Sequence, residues 1–157
     1  MRRVAAAIGV AWHVAWACVA LAQPVFPFAD AHVEPTRFGY AALVQRLEQA
    51  IETNDMRLVA RASATIGAAE RGLTIPGNAV IMVFRNDYAV RMLGADLAAG
   101  IEAPLRFYVT ENADGTATLS WRPPSAVFAP YRSAPLDVLA AELDPIFARI
   151  AADAIGR

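Results

Sequence analysis

Three side chains that can grip an anion or stack on a planar molecule alternate along one short stretch. They are Arg106, Tyr108 and Arg122, in LRFYVTENADGTATLSWRPP at residues 105–124. Arginine presents a planar fork of donors that matches a carboxylate, and its face stacks on rings. Asn86, at the end of the preceding apolar run, is the fourth candidate ligand-binding residue. The polar face they would share has two plainer explanations. It is a solvated sheet surface, or one half of a homodimer in which two sheets meet.

Other chemistry finds less material. Metal binding needs converging His, Cys or carboxylate groups, and beyond residue 22 the one histidine is His32; no metal ligand is assigned. His32 as an axial haem ligand stands against the simpler reading of a solvated histidine. There is no Gly-x-Ser-x-Gly, and Ser63, Ser120, Ser125 and Ser133 have no histidine close in sequence. Glu102, Glu111 and Asp114 are the carboxylates that acid–base catalysis would use, although turn chemistry accounts for Asp114 and solvation for the other two. Gly67, Gly72 and Gly77 do not have the spacing of a phosphate-binding loop. No residue is assigned as catalytic.

The elements that must position these groups follow from periodicity. Residues 105–110 alternate Leu, Phe and Val with Arg, Tyr and Thr. Residues 117–122 alternate Ala, Leu and Trp with Thr, Ser and Arg, and Asp114-Gly115 lies between the two runs. That is a hairpin, ended by Pro123-Pro124. Tyr40, Leu43, Val44, Leu47 and Ile51 recur at helical spacing, with Asn54-Asp55 as the stop. MRLVARAS reads as a strand, ATIGAAERG as a small-residue segment closed by glycine, and AVIMVF as a strand at the sheet centre or buried on both sides. Asn86-Asp87 then caps one helix, YAVRMLGADLAAG. Leu136 to Ala154 keep helical register around Pro145, either as one kinked helix or as two with Asp144 capping the second.

Composition sets the outer bounds. The chain has 157 residues, 57% apolar and 18% charged, enough for one core and not a disordered composition. All 14 cationic residues are Arg. MRRVAAAIGVAWHVAWACVALAQP has the basic start, apolar run and Ala-Leu-Ala end of a Sec-type secretory signal. Cleavage is expected between Ala22 and Gln23, with a retained membrane anchor as the alternative. Cys18 would leave with residues 1–22, and the rest of the chain has no cysteine. The expected organisation is a signal at 1–22, an irregular segment at 23–36 carrying at most a short strand near Ala31–Glu34, and one domain at 37–157. The expected place is periplasmic or secreted, with no membrane association after cleavage. The charge left is mildly negative with no basic stripe, so nucleic acid is not an expected partner.

Interleaved strands and helices with a polar-faced hairpin predict an α+β two-layer sandwich, a mostly antiparallel sheet with helices on one face. From Leu58 to Pro124 the order of strand, Gly72-Leu73, AVIMVFRND, Ala103-Pro104-Leu105-Arg106, the Asp114-Gly115 hairpin and SWRPP resembles the domain-of-unknown-function family 302. The tail SAVFAPYRSAPLDVLAAELDPIFARIAADA is similar to that family's C-terminal helices. The resemblance implies a two-layer sandwich with a topology like that of TATA-binding protein. Of the family's Phe-Gly-Asn-Pro stretch, Phe84 and Asn86 match while Arg85 and Asp87 differ. Where many members carry Asp-His, this chain aligns Ser63-Ala64. A metal, haem or proton-transfer role resting on that histidine has no counterpart residue here.

The expectation for function is an exported, non-catalytic domain that binds a small ligand or a partner, with a homodimer as one form. The alternatives are an enzyme using arginine and carboxylates, or a haem-binding protein. No cofactor is named by the residues.

Overall fold

The computed structural model describes residues 27–157; the expected signal, its Ala22–Gln23 cleavage site and Cys18 lie outside them. Five strands form one antiparallel sheet: β1 (His32–Gly39), β2 (Arg57–Ala62), β3 (Asn78–Phe84), β4 (Leu105–Glu111) and β5 (Thr116–Trp121). Their order across the sheet is β1-β5-β4-β3-β2. The helices are α1 (Tyr40–Thr53), α2 (Ala64–Glu70), α3 (Asn86–Ala95), α4 (Pro124–Phe128) and α5 (Ala134–Ile155). α1 and α5 pack together and lay Leu43, Leu47, Ile51, Leu136, Phe147 and Ile150 against Ile81, Phe107, Val109 and Leu119 of the strands. Each such buried side chain contributes roughly 1.5–3 kcal/mol. The result is the two-layer α+β sandwich that the pattern predicts.

Local chemistry sets the element ends. Ser63 Oγ accepts the Thr65 amide at 3.2 Å and starts α2. Gly72, at φ +71°, ends it in the left-handed region that glycine tolerates. Asn54 caps α1, and Asp55 turns the chain at φ 57°. In the hairpin loop the Asp114 carboxylate accepts from both the Thr116 amide (3.0 Å) and its hydroxyl (2.6 Å), which holds the turn closed.

Two expectations need correction, and two open alternatives are resolved. β1 crosses the proposed boundary at 36 and runs to Gly39; Pro35 is accommodated because β1 is an edge strand with a register shift between Pro35 and Gly39. The single helix after Phe84 is broken at Asp96, which is extended and whose side chain accepts the Ala98 amide at 2.9 Å to begin a 3₁₀ turn at Leu97–Glu102. Of the two arrangements open for the C-terminal segment, the single helix holds: α5 runs through Pro145, and Asp144, which would have capped a second helix, accepts the Ser125 amide at 2.9 Å at the start of α4. Of the two readings of AVIMVF, the inner strand holds, between β4 and β2, and burial on both sides does not. Ala79, Ile81 and Val83 face the helices, while Val80, Met82 and Phe84 are half-buried on the open face.

One close approach fixes the start of β3. A Cβ on Gly77 would lie 2.6 Å from the Tyr40 ring, whose hydroxyl donates to the Asn78 carbonyl at 2.9 Å. Gly77→Ala is therefore expected to destabilise the fold by about 1–3 kcal/mol, read from chemical denaturation. Unchanged stability would show that the Tyr40 ring is free to give way.

Candidate functional site

Strand pairing carries a row of side chains across the open face of the sheet. Val80 pairs with Tyr108, Tyr108 with Ser120, and Ser120 with Val33. Period-two alternation puts Arg106 and Arg122 on that same face. Above this row lies a cavity of about 420 Å³, lined by Arg106, Tyr108, Ser120 and Arg122, with Val80, Leu105, Phe28 and Val127 among its apolar walls. Three of the four residues singled out in the sequence thus share one cavity.

Asn86 is not among them. It sits in the first turn of α3 and is absent from the residues lining the cavity. The expectation that it would join the arginines fails because the chain turns into α3 directly after Phe84. Its neighbours have local work: Arg85 pairs with Asp87 at 2.8 Å and lies 4.2 Å over the Tyr88 ring.

One wall was not legible in the sequence. Asp30, 92 residues away along the chain, accepts from Arg122 Nε at 3.1 Å and Nη2 at 2.9 Å. The guanidinium lies 4.5 Å over the Phe28 ring, and its Nη2 also donates to the Ala126 carbonyl at 3.1 Å. Residues 28–31, expected to be irregular, therefore strap the edge of the cavity. The Arg122 hydrogen bond holds the Asp30 carboxyl below the usual aspartate range.

At the other end, Glu102 accepts from the Tyr131 hydroxyl at 3.0 Å and meets Arg106 only at 4.0 Å. Burial, and then Glu102, push the Tyr131 hydroxyl above the ordinary tyrosine range. The Ser120 side chain is 2% exposed, and its Oγ has no hydrogen-bond partner among the described residues. A buried hydroxyl left unpaired costs about 1–3 kcal/mol, so it calls for an explanation. In the sequence, Ser120 offers only a nucleophile's hydroxyl or one more polar position of an alternating strand, and neither signals an unpaired group.

The carboxylates considered for catalysis do not converge. Glu102 precedes β4 and Glu111 ends it, which separates them by about 20 Å of extended strand. Glu111 accepts the Gly77 amide at 2.7 Å, and Asp114 serves the turn. His32 stacks flat on Trp121, with ring centroids 4.7 Å apart, beside a separate cleft lined by Ser125, Asp144 and Pro145. No group of three His, Cys, Asp or Glu among the described residues could hold a metal ion. No helix among them is long and apolar enough to cross a membrane.

Fold and cavity together define a two-layer α+β domain with a largely apolar pocket, edged by arginine, on the open face of its sheet. The family model described as "Domain of unknown function DUF302" matches residues 32–153, and the chain belongs to that family. Its matched span opens at the first residue of β1. Comparison with curated proteins finds no match. Among solved structures, the chain is similar to the one titled "Crystal structure of uncharacterized conserved protein DUF302 from Bacillus stearothermophilus". The two are 20% identical, with a TM-score of 0.69 over 82% of this chain and 98% of that one. At that identity the likeness concerns the fold.

Two outcomes follow from the site. Ser120→Ala removes an unpaired buried hydroxyl and is expected to raise the stability of the empty protein by about 1 kcal/mol in denaturant titration; a loss of stability would show that the hydroxyl is satisfied. Asp30 has a lowered pKa when folded, so its contact with Arg122 stabilises above the unfolded value and is lost as pH falls through the folded one. Backbone NMR relaxation of residues 28–31 is expected to be unchanged from neutral pH down to about pH 5, with mobility rising below about pH 4. In Asp30→Asn the segment should be mobile throughout. A rigid segment in that variant would rule out the ion pair as its fastening.

Proposed function

We propose that this protein is an exported binding domain that takes a small organic molecule into the cavity over the β4–β5 hairpin. The observation that carries the reading is a cavity of about 420 Å³ whose lining includes Ser120, a buried hydroxyl without a partner among the described residues. Small-molecule sites fall at roughly 300–1,000 Å³, mostly apolar with a few convergent polar groups. Here those groups are Glu102, Arg106, Tyr108, Ser120 and Arg122. Export rests on the basic start, the apolar run and the Ala20-Leu21-Ala22 motif, which together favour cleavage before Gln23 and a periplasmic or secreted location.

A second reading has its own observation. Val80, Met82 and Phe84 are half-buried apolar residues in a row on the open face of the sheet, which suits a second copy of the chain in a symmetric dimer.

Native mass spectrometry of the protein taken from the periplasm of its producing cells separates these readings. The expected spectrum shows a chain beginning at Gln23 with a stoichiometric extra mass, that of a ligand small enough for a cavity of about 420 Å³. That extra mass should be lost in Ser120→Leu, whose side chain would project into the cavity. An empty dimer would assign the face to an interface. An uncleaved N-terminus would overturn the proposed export.

A further inference from the structure

The cavity's hydrogen-bonding inventory is lopsided, and the imbalance names a ligand class. On the acceptor side, Asp30 at the rim is taken by two nitrogens of Arg122, and Glu102 in the lining accepts from the Tyr131 hydroxyl through Oε1, its Oε2 lying 4.0 Å from Arg106. On the donor side, Arg106 is 62% exposed and meets its one acidic neighbour only at 4.0 Å, beyond hydrogen-bond range. A guanidinium has five donors in a fixed fork and no acceptor. The Ser120 hydroxyl is buried and unpaired, and the Tyr108 phenol lines the same wall. Ser120 and Tyr108 can donate or accept, so the group that requires an acceptor from the ligand is the Arg106 guanidinium.

The rest of the lining is apolar, with Phe28, Val80, Leu105 and Val127 offering nothing polar in their side chains. The wall also carries an internal precedent for its preference. Arg122 already holds a carboxylate, that of Asp30, while stacked on Phe28. We propose that the cavity takes an apolar monocarboxylate, its carboxylate paired with Arg106 beside Tyr108 and Ser120, and its hydrocarbon laid against Leu105, Val127 and Phe28.

This inference rests on the reading of the cavity as a binding site, and the experiment separates the two. Octanoate, octanamide and octylamine share one tail and differ in the charge of the head. Isothermal titration of the purified protein is expected to show octanoate binding at least about tenfold more tightly than octanamide, as a charge-assisted pair would give, and octylamine weakest of the three. In Arg106→Gln, an exposed position, octanoate is expected to fall to the affinity of octanamide. Octanamide should lose less than octanoate, since it forfeits a neutral hydrogen bond and not a charge-assisted one, and an unchanged far-UV circular dichroism spectrum and denaturation midpoint certify that the variant is folded. Equal binding of octanoate and octanamide to the parent protein would overturn the carboxylate assignment and leave the cavity as a binding site. Failure of all three to bind would overturn both.

Discussion

The Phe107 ring lies flat on Phe147 of α5, with centroids 4.9 Å apart, and tilts against Trp121 of β5 at 5.9 Å. Trp121 in turn stacks on His32 of β1. One chain of aromatic contact thus ties the long helix to three strands. Because alternate residues of a strand point to opposite faces, seating Phe107 in the core fixes Arg106 and Tyr108 on the other side. A slip of one residue would send both into the apolar layer. Packing on the covered face therefore sets the geometry of the open one.

The open face is held at its rim by a contact between distant parts of the chain. Asp30 and Arg122 meet in a region where neither belongs to a strand or helix, and Phe28 lies under the guanidinium. An ion pair this exposed adds little to overall stability. Its effect is positional, since it keeps the segment before β1 against the cavity wall. The Arg91 fork does similar work elsewhere, gripping both oxygens of Glu142 at 2.7 and 2.6 Å to link α3 to α5.

Ser120 and Thr110 are polar residues in the middle of the sheet whose hydroxyls are buried and have no partner among the described residues. Both lie on the open face, where an apolar residue of similar size would cost less. Thr118 beside them is also buried but is satisfied, donating to Asn112 Oδ1 at 3.0 Å. Proteins commonly retain such local costs where a surface must recognise something. The fold tolerates them because the opposite face, with Phe107, Val109 and Leu119 fully buried, supplies the cohesion.

Short-range pattern determined much of this molecule. Alternation from Leu105 to Thr110 and from Ala117 to Arg122 specified the hairpin and the shared face of Arg106, Tyr108 and Arg122. Helical spacing from Tyr40 to Ile51 and from Leu136 to Ala154 specified the two helices that cover the sheet. Side-chain periods of 2 and 3.6 are local properties, so they can be read without knowing what the chain meets. Contacts between distant segments obey no such rule. That Asp144 caps α4 rather than its own helix, that Asp30 reaches Arg122, that Asn86 turns away from the cavity and that Ser120 is left without a partner were decided only when the layers closed. Each depends on which surfaces come together in space, and no local period records that.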